Sequence, residues 1–291
     1  MPAADHHATS DETFPILIGG VGGSGTRLFA ESLLAAGLRT LGDINGATDS
    51  MGCALLFKRP QLIVELEDPA TIERLWSIVE AAIQGGSPLD RDQRGVLTSL
   101  RRIPRPMHST AWLRVRARRL RRAARARPAS GRWFIKEPNL HWPAPKLLEL
   151  RPDQRFVMAV RHGVDMAFST NQQQVEVWGP TVLGEPDLPI DAVASLRYWC
   201  LVHERILEVR ERFPERVLII SFDQFCVEPE RVLPALFEFC GITPTPERIQ
   251  RGIRGVKPPT SIGRHRAEDC SGFSPENLDF AESFMSGIRI P

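Results

Sequence analysis

The sequence predicts an α/β fold, a central parallel sheet with helices on both faces. Three observations carry this expectation. Residues 14–18, 133–136, 155–160 and 217–221 are short, mainly apolar runs, which read as buried strands. Segments with helical spacing separate them, as in successive βαβ units. The first strand also runs through a glycine-dense loop directly into a helix.

Taken in order, residues 14–18 end in glycines and form the first strand, and residues 19–25 are the loop. Residues 26–37 are a helix: Leu28, Phe29, Leu33 and Leu34 make its apolar face and Gly37 its C-terminal stop. Residues 38–41 read as a second short strand leading into a turn at 43–46. The stretch from 50 to 130 is mostly helical. It has an amphipathic helix at 70–84 and an arginine-loaded one at 110–126, capped by Ser109 or Thr110. Pro138 stops the strand at 133–136, and a helix from about Val164 follows the strand at 155–160. A long helix at 191–212, the strand at 217–221 and a helix at 229–240 closed by Gly241 complete the sheet region. The last fifty residues, rich in Pro, Gly and Arg, read as an irregular cover. Residues 1–13 are expected to be a disordered tail, and 14–291 a single domain with a helical insertion at about 46–131.

The chain has 291 residues, 42% hydrophobic and 25% charged, which is ordinary for a globular protein with a large core. Its net charge of +2 is unevenly spread: residues 101–127 hold eleven Arg and no acidic residue. Five cysteines, an odd number with no Cys-x-x-Cys pair, disfavour a disulfide framework or zinc site and fit a reducing compartment. The polar start has no apolar run of a signal peptide, and no apolar stretch is long enough to span a membrane, so a cytoplasmic protein is expected. His6 and His7 belong to the tail.

The loop Gly19-Gly20-Val21-Gly22-Gly23-Ser24-Gly25-Thr26-Arg27 lets backbone approach a ligand closely, and its amides converge at the positive end of a helix. That suits phosphate or sulfate. Counting from Gly20 through Gly25, the lysine and hydroxyl of a nucleoside-triphosphatase loop are replaced by Thr26 and Arg27, which disfavours ATP or GTP hydrolysis. Gly20, Gly22 and Gly25 also satisfy the dinucleotide fingerprint, with Asp43 eighteen residues beyond Gly25 as the ribose ligand. An NAD(P)-dependent oxidoreductase is therefore an alternative.

Gly22-Gly23-Ser24-Gly25-Thr26-Arg27 resembles the Ser-Gly-Thr loop of sulfotransferases that use 3′-phosphoadenosine 5′-phosphosulfate (PAPS). The resemblance implies a sulfotransferase fold similar to that of P-loop nucleoside triphosphatases. It also implies that Ser24, Thr26 and the amides of Gly25 and Thr26 hold the 5′-phosphosulfate. Gly23 stands where many members have Lys or Arg, so Arg27 or Lys136 would supply that cation. Residues 155–169 resemble the family's 3′-phosphate motif: an apolar strand ends in Arg161, a turn follows, and Ser169 lies eight residues on. An arginine at the carboxyl end of a parallel strand can grip phosphate through two hydrogen bonds. His162-Gly163 replaces the more usual Asp-Pro. Residues 217–225 with Glu228-Pro229 resemble the family's late strand, and 236–242 its following helix end. Residues 261–266 look like the loop that folds over the adenosine 3′-phosphate, carrying Arg264. These matches cover about 14–45 and 132–266, and residues 46–131 match nothing in the family.

Sulfuryl transfer is an in-line displacement, so cations and amides dominate and a base must deprotonate the acceptor hydroxyl or amine. Lys136, ending a strand beside the glycine loop, is the candidate cation near the transferring group. His141, Glu137 and Asp49 are candidate bases. His162 is assigned to the turn and His265 to the cover. The chemistry requires no metal, and no metal-ligand cluster stands out in the sequence. The product would be adenosine 3′,5′-bisphosphate (PAP), and the acceptor a small metabolite or glycan. The arginine-rich helix could attract an acidic glycan or nucleic acid, but a solvated helix paired with the acidic remainder is the simpler reading, and nucleic acid is not the expected partner.

Overall fold

The structure, a computed structural model, describes residues 15–105, 107–128 and 131–288. The expected disordered tail with His6 and His7, and Phe14 of the first strand, lie outside these residues. Four parallel strands, β1 (Ile16–Gly19), β2 (Phe134–Lys136), β3 (Phe156–Val160) and β4 (Val217–Ser221), form a sheet in the order β2-β1-β3-β4. Alternate residues face opposite ways, as strand geometry requires. Leu17, Ile135, Met158 and Ile219 point into one hydrophobic cluster, and Ile18, Phe134, Val157 and Ile220 into another. Both faces are therefore buried, which is why the strands read as unbroken apolar runs.

The helices in chain order are α1 (Thr26–Ala35), α2 (Met51–Phe57), α3 (Leu62–Glu65), α4 (Pro69–Gln84), α5 (Arg91–Leu100), α6 (Thr110–Ala124) and α7 (Ala144–Leu150). They continue with α8 (Gly163–Ala167), α9 (Gln173–Val182), α10 (Ala192–Arg212), α11 (Phe222–Val227), α12 (Pro229–Phe239), α13 (Pro246–Gly252) and α14 (Pro275–Gly287). Among the described residues, no helix is long and apolar enough to cross a membrane. Helix α1 ends as its sequence predicts: Gly37 takes φ 97°, and the Leu38 amide donates to the Leu33 carbonyl at 3.0 Å. Ser109 caps α6, accepting from the Trp112 amide.

Three expectations are corrected. Residues 38–41 make no strand. Only Arg39 bridges to Trp133, because the chain leaves the edge of β2 after one residue to enter the 43–50 loop. The C-terminal cover is more regular than its composition implies, since α14 is a 13-residue helix capped by Ser274. The helix expected from about Val164, and with it Ser169 on its second turn, is cut short: α8 ends at Ala167, and Ser169 lies just beyond it.

Candidate active site

The glycine loop, Lys136 and Arg161 lie at the carboxyl ends of the adjacent strands β1, β2 and β3, the edge where open parallel sheets bind ligands. The loop has little freedom to carry side chains. A Cβ on Gly20 would fall 2.4 Å from the Ser24 hydroxyl, and one on Gly22 2.7 Å from Gln174. Gly25, at φ 79°, has the Phe222 ring only 1.9 Å from where a Cβ would stand. The amides of Gly22, Gly23 and Gly25 find no acceptor among the described residues, and the buried Ser24 hydroxyl also has no partner. Unpaired backbone donors at a helix N-terminus, with the buried Ser24 hydroxyl among them, make an anion cradle. Arg27 points outward instead, more than half exposed, and pairs loosely with Glu31.

Beyond β2, the buried Lys136 ammonium pairs with Asp49 and donates to the Ala47 carbonyl at 2.9 Å. The loop bearing Asp49 passes through Thr48 at φ 64°, a left-handed conformation uncommon for a β-branched residue. The Glu137 carboxylate is buried and accepts from Asn139 twice, from its backbone amide at 2.8 Å and its side-chain amide at 2.7 Å. Burial, with the Asp49 charge adding to it, pushes the Glu137 carboxyl up to about 7. His141 goes elsewhere: its ring is buried against Trp142, and Nδ1 lies 2.8 Å from the Pro138 carbonyl. Burial pushes its imidazole down to about 4.

At the end of β3, the Arg161 guanidinium donates to the Ser261 hydroxyl at 2.6 Å and lies over the Phe222 ring, 5.3 Å from its centroid. That same ring closes on Gly25, so Phe222 joins the two anion-facing regions. Arg264 donates to the Phe168 carbonyl at 3.3 Å, which brings it beside Ser169. The clasp is Asp165, fully buried, accepting from the Gly263 amide at 2.6 Å and from the backbone and ring of His265. Burial alone would raise this carboxyl, but the His265 and Gly263 hydrogen bonds outweigh it and hold it low.

Arg161, Ser169, Ser261 and Arg264 thus come together, as do Lys136, Asp49 and Glu137, while His141 joins neither group. Sequence reading missed Lys58, Gln173, Gln174 and Asn139. Lys58, at the end of α2, donates to Gln173 on α9 at 2.8 Å, and Asn139 accepts from the Trp178 indole at 2.7 Å. These contacts span more than thirty residues of sequence, and no local pattern announces them.

Asp43 is not free for a ribose. It is clamped by Arg116 and by Arg119 at 2.7 Å, both on α6. A possible metal-ligand group, invisible in the sequence, is assembled by the fold: His162, His265 and Glu282 place ligand atoms within 4.8 Å of one another. The two imidazoles stack with planes 5° apart and centroids 4.5 Å apart, so their ring planes do not meet at a point an ion could occupy.

The sequence model described as "Sulfotransferase family" matches residues 15–247. The chain belongs to the sulfotransferase family. Solved structures similar to this sulfotransferase include the sulfotransferase domain of the Synechococcus PCC 7002 olefin synthase, 16% identical at a TM-score of 0.46 over 94% of this chain and 95% of that one. A Mycobacterium tuberculosis H37Rv sulfotransferase is also 16% identical, with a TM-score of 0.41 over 82% of this chain and 70% of that one. A Mycobacterium avium sulfotransferase gives 16% identity and a TM-score of 0.44 over 83% and 67%. No curated protein matches the sequence. The family match carries the assignment, and with the parallel sheet and its glycine loop it gives this sulfotransferase a P-loop-like fold.

Proposed function

We propose that this sulfotransferase moves a sulfuryl group from PAPS to the hydroxyl or amine of a small-molecule or glycan acceptor, releasing PAP. The observation that carries the reading is the pair of anion-facing regions on neighbouring strands, the glycine loop after β1 and Arg161 after β3, joined by Phe222. Strands are spaced about 4.8 Å apart, which suits a nucleotide charged at both its 5′ and 3′ ends.

Bound there, the donor would supply an activated sulfuryl group with PAP as leaving group. Ser24, Thr26 and the loop amides would hold its 5′ end, and Arg161, Ser169, Ser261 and Arg264 its 3′-phosphate. Lys136, kept dry by its pairing with Asp49, would sit beside the charge that develops on the sulfuryl oxygens. Glu137, beside the Lys136–Asp49 pair and with its carboxyl raised to about 7, is our choice of base over His141, whose Nδ1 is held by the Pro138 carbonyl. Helices α2 to α6 would form an acceptor-side insertion in one domain. The free cysteines agree with a reducing, cytoplasmic setting.

The test is calorimetric titration with PAP, NAD, NADP and ATP, on the wild type and on Arg161→Ala. Micromolar PAP binding that the substitution weakens by about 2 kcal/mol supports the reading, that being the cost of removing a charged hydrogen-bonding partner. Binding of NAD or NADP without PAP would sink it.

A further inference from the structure

We infer that the acceptor carries an anionic group, a carboxylate, phosphate or sulfate, which is held beside Glu137 by Lys58 and the cations around His108. The inference rests on the proposed sulfuryl transfer and goes further by naming the acceptor's chemical class.

The charges at this end of the sheet do not balance. Lys58 bonds to the neutral Gln173 side chain. Arg105 bonds to three backbone carbonyls, those of Ala54 at 3.1 Å, Lys58 at 3.3 Å and Leu55 at 2.5 Å. Arg116 and Arg119 share one carboxylate, Asp43. Four cations therefore face two acids, Asp43 and, when it is ionised, Glu137. Neighbouring charges do not remedy this, because Arg59–Glu65 and Lys136–Asp49 are already neutral pairs.

His108 sits among these cations, its ring stacked on Trp112 with centroids 3.9 Å apart, and the Arg116 guanidinium lies 5.1 Å from the Trp112 centroid. Burial and the nearby Lys58, Arg105 and Arg116 charges push this imidazole down to about 4, so it is neutral. His108 Nδ1, Arg105 Nε and Arg116 Nε are all buried without a hydrogen-bond partner among the described residues. Desolvated cations and unpaired donors are costly, and an anion bound among them satisfies both. Lys58 also lies close enough to Glu137 to favour its charged form. The anion would thus be anchored near the base.

The experiment uses the PAP-saturated wild-type protein and matched acceptor pairs, 4-hydroxyphenylacetate against its amide and glucuronate against glucose. Binding is read by calorimetry in low and high salt, and turnover is read with PAPS. The acid of each pair should bind at least tenfold tighter than its neutral partner, and the preference should shrink with salt. Lys58→Gln should lower the acid-to-neutral ratio at least tenfold, and acid binding should raise the His108 titration midpoint seen by NMR. Equal use of acid and neutral partners, or no binding of either by protein that still binds PAP, overturns the inference. Loss of PAP binding in the same samples would identify a failure of the donor reading instead.

Discussion

The two sides of the cleft are built from different materials. On the side assigned to the donor, recognition is by backbone: glycines at Gly23 and Gly25 with positive φ, unpaired amides, and a hydroxyl buried in the turn. On the proposed acceptor side the groups available are long side chains, with Lys58, Arg105, Arg116 and Arg119 arriving from three separate stretches of helix and loop. A backbone cradle is rigid and admits one shape of anion. A cluster of side chains is adaptable and selects by charge first. The same enzyme can thereby fix its donor and leave its acceptor open to variation.

The sharpest way to break this comparison is at Glu137, where the two sides meet. Glu137→Gln should lower kcat by about 10²–10⁴-fold, the usual contribution of a general base, with PAP binding retained. In the wild type kcat should rise with pH through about 7, as the carboxyl loses its proton. A pH-independent kcat would remove Glu137 from that role.

Gly25→Ala should follow in size. It meets both the left-handed backbone and the Phe222 ring, so a stability loss of about 2–5 kcal/mol is expected from strain plus overpacking. Thermal unfolding checks it. Gly46→Ala, at a glycine with nothing within 4 Å of its added Cβ, is the control.

Arg161→Ala should weaken PAP by about 2 kcal/mol, while an equivalent loss at Arg116 should leave PAP affinity intact and act on the acceptor. Equal effects of both on PAP would erase the distinction between the sides.

The smallest effect is on stability against pH. His141 and His203 are buried with pKa values depressed to about 4 and about 3, so unfolding takes up protons as pH falls below their ordinary 6.5. Their contribution is present above pH 6.5 and lost toward pH 4. Glu137 opposes it, because its raised carboxyl contributes stability at low pH that is lost as pH rises through about 7. His108 acts in the same sense, so between pH 4.5 and 6.5 three imidazoles outweigh the one carboxyl and stability falls as pH falls. Glu137→Gln should steepen that fall in denaturant titrations.

Much of the donor side was legible because its parts are contiguous. The strand, loop and helix of residues 16–35 and the strand ending in Arg161 announce themselves by local spacing. Val217–Ser221 appears as read, since a strand buried on both faces has no polar interruption. Residues 38–41 misled because apolar composition says nothing about whether a neighbouring strand continues alongside. His141 was ambiguous for a related reason: its type fits a base, but only packing decides which way a ring turns. Lys58 carried no local signal at all, and its meaning arises only where α2 meets α9.

The Asp165 clasp bears on how this enzyme can be divided. It ties α8 to Gly263 and His265, about a hundred residues later in the chain, and so delivers Ser261 and Arg264 to Arg161. The family match ends at residue 247, before any of these closing residues. A protein trimmed to the matched region would keep the glycine loop and lose the far wall of the proposed nucleotide site. Its nucleotide would be gripped at one end only, and the boundary drawn by similarity would cut through the binding unit.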